Sequence, residues 1–533
     1  MNARKSIVVG SSQFIITILG WIGLIILAKF WGSYAPEALG MIGYALAFVG
    51  LFGALADVGF SQAHIKRVSE GKDLGTCIGT FITIKIVLIV LMVSVVLFSM
   101  FILRNFFGVA FSDTTDLIIY IFILYYVFGY LVHIPISTFQ GRGEMVKMQL
   151  ATISESLVRV SFRMVVLFAG VVIAGNIIVK APIEWAPFLQ PLQELISQHA
   201  VDCIAFTYVL GGVATFIVGI WLMRKYPISK PTRDMLKSYL VFAIPISLVS
   251  VSMVVTKSVD KIMIGYFWTS VEVGYYFTVQ QISQVIVVLS GSLAIVLFPS
   301  LSGYHSNGDY SVIKSLVHNS IRYISMFVVP IIVLICLFSK EIIIILLDSA
   351  FLPGSSTLVI LSLFALVSAL MIPYICLITG VDKPKIVAKI GILMCVSNVV
   401  LNLLFIPVTG VLSTFGIYAM TGAAVASLCS VVIGFVYTVY KANKLVKIGM
   451  INKHVLLHII SGTLSGIFIL FLMNFVTTMY WYHIVIASVI CILVYFGILI
   501  QINEFTKKDY RFFLDTINLG KMKEYIKGEM NDN

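Results

Sequence analysis

Long runs of apolar residues, separated by short polar segments, make up most of the chain. Each run has about 20 residues or more, which is the length that a helix needs to cross the hydrocarbon core of a bilayer. Some runs consist almost entirely of Val, Ile and Leu, but their length favours helices over buried strands. The pattern predicts fourteen membrane-spanning helices, at approximately residues 7–30, 40–60, 77–103, 116–139, 150–173, 201–223, 238–260, 274–300, 321–339, 357–378, 386–407, 416–440, 454–476 and 481–502.

The composition agrees with this pattern. Of the 533 residues, 60% are hydrophobic and only 11% are charged, whereas about 25% of the residues in soluble domains are charged. So few charges cannot cover a water-facing surface, which excludes secreted, nuclear and cytosolic enzymes. We therefore expect an all-α polytopic membrane protein.

The distribution of Lys and Arg predicts the orientation of the chain. Of the 36 Lys and Arg residues, 25 lie in tails and loops on one side of the predicted spans, and three lie on the other: Arg104, Lys180 and Lys340. Cytoplasmic loops of membrane proteins are enriched in these residues. We expect a protein of the cell membrane with both termini in the cytoplasm. The net charge of +12 then reflects topology and does not indicate binding to nucleic acid.

Two segments outside the predicted spans have features of their own. Residues 176–200 form the longest outer loop, and within it residues 189–196 have the pattern of a short amphipathic helix at the membrane surface. The basic C-terminal tail, residues 503–533, spaces apolar residues among six Lys and Arg. It is either a helix on the inner leaflet or a solvated tail.

The sequence around the second predicted span is similar to that around the eighth. Leu39-Gly-Met-Ile-Gly-Tyr and Val273-Gly-Tyr-Tyr-Phe each follow a short outer turn. A repeat of six spans keeps its orientation in the membrane and predicts two lobes related by an axis along the membrane normal, as in many transporters. The predicted domains are an N-lobe, a C-lobe, a pair of additional spans and a cytoplasmic tail, at residues 1–223, 224–440, 441–502 and 503–533.

Several short sequences, which follow one another in order over nearly the whole chain, resemble a known family. The segments are Ala56-Asp-Val-Gly-Phe-Ser-Gln-Ala63, Val259-Asp-Lys-Ile-Met-Ile-Gly265, Leu297-Phe-Pro-Ser-Leu-Ser302, Asn402-Leu-Leu-Phe-Ile-Pro407 and Gly422-Ala-Ala-Val-Ala426. In these segments, the chain resembles the oligosaccharide flippases of the multidrug/oligosaccharidyl-lipid/polysaccharide (MOP) exporter superfamily.

The resemblance implies a fold, a substrate and a set of partners. The fold would be a V-shaped pair of six-helix lobes around a central cavity, followed by two C-terminal helices. The activity would be alternating-access transfer of a polyprenyl-(pyro)phosphate-linked oligosaccharide, or polysaccharide repeat unit, from the cytoplasmic to the outer leaflet. Expected partners are the lipid-linked glycan and membrane lipids, and a glycan polymerase or glycosyltransferases are candidate protein partners.

Three charged residues in the fifth predicted span are the main candidate site. Glu155, Arg159 and Arg163 are spaced by four, which places them on one helix face. A charge at the bilayer centre costs roughly 2.5–3.5 kcal/mol on insertion scales, so such residues usually face a protein interior or a wet cavity. Arginine offers a planar fork of donors that suits phosphate. We expect a cavity that binds an anion; the alternative is an interhelical ion pair that stabilises the lobe.

Other charged residues in the spans are secondary candidates. Lys85 lies about 12 Å into the third span and would either reach the cavity or extend to the inner interface. Asp57 is a possible inner-gate residue, or caps a helix or pairs with a nearby basic side chain. Lys257, Asp260 and Lys261 form a possible outer gate; the alternative is that they anchor their helix at the interface.

No sequence motif indicates catalysis. The chain has neither a G-x-x-x-x-G-K-[ST] nucleotide-binding motif nor an HExxH motif, and we expect no metal and no cofactor. An ion gradient, the membrane potential or substrate supply would then drive transport. A membrane glycosyltransferase or polymerase is disfavoured because the long outer loop has only two acidic residues, Glu184 and Glu194.

Two other transport functions remain as alternatives. One is a cation-coupled multidrug exporter, which is disfavoured because the first span has no carboxylate and the deep excess charge is positive. The other is a lipid II flippase, which is disfavoured because the resemblance to that branch implies arginines in the first helices. The first two predicted spans contain no arginine.

Overall fold

The protein is almost entirely helical in a computed structural model. The structure describes residues 2–106, 108, 112–173, 175–306, 308–381, 383–449, 453–475, 481–507 and 509. Fourteen helices in this part of the chain have 21 residues or more, and each overlaps one of the predicted spans.

The described residues of the first half of the chain contain eight α-helices and a two-stranded hairpin. Their bounds are α1 (Asn2–Trp31), α2 (Ala35–Asp57), α3 (Phe60–Ser69), α4 (Leu74–Asn105), α5 (Asp113–Arg142), α6 (Met145–Ala169), β1 (Val171–Ile173), β2 (Asn176–Val179), α7 (Gln190–Gln198) and α8 (Ala200–Met223).

The second half, as far as the structure describes it, adds eight long α-helices. Their bounds are α9 (Arg233–Phe267), α10 (Ser270–Ser306), α11 (Tyr310–Leu346), α12 (Ser355–Gly380), α13 (Pro384–Phe405), α14 (Ala419–Val446), α15 (Lys453–Met473) and α16 (Trp481–Gln501).

Hydropathy supports a multi-pass membrane protein. Ten segments of the described residues are long and apolar enough to cross a membrane, and one of them, Ser12–Asp57, includes most of α1 and all of α2. The helices α6, α9 and α10 are not among the ten. The multi-pass architecture is thus supported, and the number of fourteen crossings stays a prediction.

The chain after α6 departs from the predicted span 150–173. The helix ends at Ala169, and Gly170 follows with a φ of +80°. The next residues form β1 and β2, which pair as an antiparallel hairpin that the sequence pattern did not predict. The predicted amphipathic helix at residues 189–196 is confirmed by α7. Leu192 and Leu195 of α7 are exposed, as expected of a helix at a membrane surface.

The predicted lobes contact each other closely where α2 and α10 begin. A Cβ atom added to Gly40 would lie 1.7 Å from the carbonyl oxygen of Ser270, and one added to Gly274 would lie 1.8 Å from that of Pro36. Each glycine therefore contacts the backbone of the residue that lies four positions before the other glycine. Gly40 and Gly274 occupy corresponding positions in the predicted repeat, so this symmetric contact supports it. Only glycine permits so close an approach of two backbones.

A second contact connects α3 with the start of α9. The His64 ring shares hydrogen bonds with the Tyr239 hydroxyl at 2.7 Å and the Thr138 hydroxyl at 2.9 Å, and all three groups are deep in the protein. Arg67 donates to the backbone carbonyl of Ser238 at 3.2 Å. The short helix α3, which lies in a segment predicted as an inner loop, thus ties α9 to the first half of the molecule.

The segment after α16 is attached to α11 by charged contacts. Arg322 binds Glu504 and Asp509, each at 2.8 Å, and Tyr323 donates to Asp509 at 2.9 Å. The predicted basic helix of the tail falls almost entirely on residues 510–533, which lie outside the described residues.

Candidate functional site

A cavity of about 340 Å³ lies between the two predicted lobes. Its walls come from α1, α2, α5, α6 and α8 on one side and from α10 on the other. Arg159 and Arg163 both line it, so the two candidate arginines share a face of α6 and point towards the space between the lobes. The volume is within the range of small-molecule sites.

Arg159 has a carboxylate partner on its own helix. The Nη1 atom of Arg159 lies 3.2 Å from Oε1 of Glu155, which is one turn earlier in α6. The Arg159 guanidinium also lies over the Tyr208 ring, 4.9 Å from its centre. Glu155 is not among the residues that line the cavity. The ion pair is therefore intrahelical and sits in the cavity wall; it is not the interhelical pair that the alternative reading required.

Arg163 has no carboxylate partner among the described residues. Its side chain is almost fully buried, with 5% of the residue exposed, and its buried Nε has no hydrogen-bond partner. The ring of Tyr208 lies 5.3 Å from the guanidinium carbon, and the terminal Nη1 extends to the surface of α1 beside Gly23. A buried guanidinium that lacks a counter-charge is costly unless a ligand supplies one.

The rest of the cavity supplies neutral polar groups and aromatic rings. Gln281 and Gln284 of α10 face the arginines from the other lobe, and Trp21, Tyr125 and Tyr208 complete the walls. The Trp21 indole donates to the backbone carbonyl of Gln281 at 3.3 Å, which connects α1 with α10. Side-chain amides both donate and accept hydrogen bonds, so this wall suits a ligand that has hydroxyl groups beside an anion.

Lys85 and Asp57 lie together in a different part of the first lobe. The Lys85 ammonium is fully buried and contacts the Asp57 carboxylate, and it also donates to the Ala56 carbonyl at 3.2 Å. Ser61 donates to the same carboxylate, and His133 lies 3.8 Å from it. Asp57 thus pairs with Lys85, and not with the basic residues of α3. Lys85 does not line the cavity.

Asp260 is buried in the second lobe, where it is surrounded by neutral hydrogen-bond donors. Its carboxylate accepts hydrogen bonds from Tyr276 at 2.5 Å, Asn402 at 2.7 Å and Ser427 at 2.7 Å. These groups come from α10, α13 and α14, so the carboxylate joins four helices of the lobe. This arrangement does not require the outer-gate role proposed from the sequence, which stays a prediction.

The two lysines of the predicted outer gate differ in burial. Lys261 is buried and donates to the Lys257 carbonyl at 2.7 Å and to Gln280 at 3.0 Å. Lys257 is exposed. Neither forms a salt bridge with Asp260 among the described residues. The three residues of the predicted gate therefore have separate environments.

Sequence reasoning missed the neutral part of the cavity. Gln281 and Gln284 are amides three residues apart within an apolar run, and polar groups on one face of a membrane helix are a usable signal. Trp21, Tyr125 and Tyr208 gave no such signal, because aromatic residues are common throughout these helices.

Comparisons with known proteins agree with the membrane transporter fold. Two family profiles, each described as polysaccharide biosynthesis protein, match residues 3–183 and 196–356. Among relatives in sequence, the probable low-salt glycan biosynthesis flippase Agl15 of Haloferax volcanii is 28% identical over 189 residues, which cover 36% of this chain and 38% of the relative. The probable flippase AglR of the same organism is 25% identical over 190 residues, covering 35% and 38%. The matched part thus spans about two fifths of each relative.

Solved structures resemble this chain over most of its length. The lipid II flippase MurJ, in an inward closed conformation, superposes with a TM-score of 0.69 at 17% identity, over 91% of this chain and 96% of that one. An inward-facing multidrug resistance MATE transporter of the MOP superfamily gives a TM-score of 0.60 at 15% identity, over 82% and 99%.

These comparisons confirm the resemblance predicted from the sequence. The chain is a polytopic helical membrane protein with the fold of MOP-superfamily transporters, and its sequence is similar to that of polysaccharide biosynthesis proteins and probable glycan flippases.

Proposed function

We propose that this protein is a flippase that moves a polyprenyl-phosphate-linked oligosaccharide from the cytoplasmic to the outer leaflet of the cell membrane. The substrate crosses unchanged, so the protein acts as a transporter and not as an enzyme. Both termini lie in the cytoplasm in this proposal, as the positive-inside distribution of Lys and Arg predicts.

The observation that carries the proposal is the positive cavity between the lobes. Arg159 and Arg163 line it, and the only carboxylate paired with them in the described residues is that of Glu155. Arginine binds phosphate through two parallel hydrogen bonds. The glutamine and tyrosine side chains around the arginines match the hydroxyl groups of a glycan next to its phosphate.

The position of the cavity supports alternating access. The contact of Gly40 with Ser270 joins the predicted outer ends of α2 and α10. Leu46 and Phe277, which follow along these two helices, line the cavity, so the cavity lies on the cytoplasmic side of the contact. Separation of these two helix ends would open the cavity outward, whereas their contact seals it. Transporters with parallel repeats move one lobe against the other around a site of this kind.

The same observation disfavours a multidrug exporter for organic cations. Such a substrate would bring a second positive charge next to Arg163, which is almost fully buried, and like charges repel strongly where water screens them poorly. The names of the flippase relatives also favour the glycan substrate. Glycosyltransferases and a polymerase remain candidate partners, since they would supply and consume a lipid-linked glycan.

A translocation assay tests this function. The purified protein is placed in vesicles with a fluorescent polyprenyl-phosphate-linked sugar, and outward transfer is measured by quenching with an impermeant reductant. We expect the wild-type protein to accelerate transfer and the Arg159→Ala, Arg163→Ala double variant to lower the rate by at least about tenfold, because phosphate binding is lost.

Arg224→Ala is the matched control. Arg224 is an exposed arginine just after α8, so its removal changes the net charge but not the cavity, and transfer should continue at the wild-type rate. Full activity of the double variant would reject the cavity as the substrate site. Efficient transfer of an organic cation, without transfer of the lipid-linked sugar, would support the alternative function as a multidrug exporter.

A further inference from the structure

The net charge of the cavity bears on how many phosphates its ligand carries. Among the described residues that line it, Arg159 and Arg163 are charged and none is acidic. Glu155, just behind the wall, lies 3.2 Å from Arg159. Together these three side chains leave one positive charge.

Glu155 is held in place by the packing of α6 against α8. A Cβ atom added to Gly211 of α8 would lie 3.0 Å from Cγ of Glu155 and 3.3 Å from Cβ of Arg159. The two side chains therefore fill the space that the glycine leaves free. Because Glu155 is confined in this way, it neutralises Arg159 from behind while the guanidinium of Arg159 still faces the cavity.

Arg163 is the group that a ligand must neutralise. Its Nε is buried without a hydrogen-bond partner, and its guanidinium stands against the Tyr208 ring. A single phosphate matches this group in charge and in geometry, since a guanidinium binds two phosphate oxygens at once. A second phosphate would add a negative charge for which the described part of the cavity offers no further cation.

A lipid-linked glycan has one of two linkages. A phosphodiester carries one negative charge at neutral pH, and a pyrophosphate diester carries two. Both arginine side chains are mostly buried, and an uncompensated charge beside them is costly. We propose that Glu155 makes this cavity selective for glycans joined to their lipid through a single phosphate, over glycans joined through a pyrophosphate. This inference rests on the proposed flippase function.

Two probes that differ only in the linkage test this inference. They carry the same short isoprenoid chain and the same monosaccharide, joined by one phosphate or by two. Binding of each to the full-length protein in nanodiscs gives a ratio of dissociation constants. We expect the wild-type protein to bind the monophosphate probe more tightly, by about tenfold, because only this probe leaves the cavity without net charge.

Substitution of Glu155 should change this preference. The Glu155→Gln variant has one more positive charge at the cavity, so the ratio should shift towards the pyrophosphate probe by about tenfold or more. Glu155→Asp keeps the charge and should keep the preference for the monophosphate. Glu194→Gln, the same substitution on the exposed surface of α7, should leave the ratio unchanged. The ratio does not depend on the fraction of protein that folds, because both probes are measured on the same sample.

The outcomes separate the two proposals. Equal or tighter binding of the pyrophosphate probe by the wild-type protein, or an unchanged ratio in Glu155→Gln, overturns the role of Glu155 while the flippase function stands. If neither probe binds more tightly than a polyprenyl glycoside without phosphate, the flippase proposal itself fails, and the role of Glu155 with it.

Discussion

Arg163 and Asp260 are both buried charges within long helices, one in each predicted lobe, but their surroundings are opposite. Asp260 accepts three hydrogen bonds from three neighbouring helices. Arg163 faces a cavity, and its Nε has no hydrogen-bond partner. A buried charge that the protein itself satisfies contributes to the fold, whereas one that it leaves unsatisfied is available to a ligand. Burial alone therefore does not identify a binding residue.

The largest expected effect on stability is that of Asp260→Ala. The substitution leaves the hydroxyls of Tyr276 and Ser427 and the amide of Asn402 without their acceptor. Unsatisfied buried donors cost about 1–3 kcal/mol each, so the free energy of unfolding should fall by about 3 kcal/mol or more. Thermal unfolding in detergent micelles measures this loss.

Asp234→Ala provides the comparison on the same helix. Asp234 is exposed in the first turn of α9, and its removal should cost less than about 1 kcal/mol. If the two variants unfold at the same temperature, Asp260 has no structural role, and the contrast with Arg163 is lost.

The Lys85–Asp57 pair should give an intermediate effect. Lys85→Met leaves the Asp57 carboxylate, which is partly exposed, without its ammonium partner and should lower the free energy of unfolding by about 2–3 kcal/mol. In the Asp57→Asn, Lys85→Met double variant no charge is left unpaired, so much of this loss should be recovered. Unfolding curves of both variants measure the difference. A double variant that is less stable than Lys85→Met would show that the pair contributes more than mutual neutralisation.

Arg163→Gln should affect ligand binding and leave stability nearly unchanged. The substitution removes a buried charge that has no carboxylate partner, so the free energy of unfolding should change by less than about 1 kcal/mol or rise. Binding of a polyprenyl monophosphate probe should weaken by about tenfold. Calorimetry or fluorescence titration in nanodiscs measures the affinity. A large loss of stability together with unchanged binding would show that Arg163, like Asp260, stabilises the fold and does not bind the ligand.

The smallest effect should come from Glu144, at the water-exposed junction of α5 and α6. Burial raises the pKa of this carboxyl, but hydrogen bonds from Tyr226, Arg142 and Lys147 outweigh burial, and the pKa is lowered from its usual 4.5. A carboxylate with a lowered pKa stabilises the folded state above its unfolded pKa, and this stabilisation is lost as the pH falls through the folded value.

Glu144→Gln should therefore lower stability at pH 7 by about 1 kcal/mol or less. The difference from the wild-type protein should disappear once the pH is well below 4.5. Melting temperatures at pH 7 and at low pH measure this. A difference that persists unchanged in acid would mean that packing of the side chain, and not its charge, stabilises this junction.

The sequence alone predicted the helices well because hydrophobic length is a direct physical requirement of the bilayer. It also predicted that Arg159 and Arg163 share a face, because four residues make about one turn. The hairpin β1–β2 was missed, since residues 171–173 continue an apolar run and only the positive φ of Gly170 separates them from α6.

The partners of the charged residues were harder to predict. One of the alternatives for Asp57 was a pair with a basic side chain near in sequence, such as Lys66 or Arg67, but the carboxylate pairs with Lys85, 28 residues away. The donors to Asp260 come from helices up to 167 residues distant. Such contacts depend on how the helices pack, and no local pattern encodes that packing. The same holds for the cavity glutamines. Their spacing of three residues indicates that they share a face of their helix, but the sequence does not show that this face lies opposite the two arginines.

The close contact between α2 and α10 at Gly40 and Gly274 has a consequence for how such a protein can change in evolution. The seal between the lobes at this point is made by two backbones and depends on the absence of side chains. In the proposed flippase, the side chains that would select the cargo lie elsewhere, on α6 and α10. A descendant can thus exchange cavity side chains, and with them its cargo, without rebuilding the closure, whereas a single methyl group at either glycine would force the two helices apart.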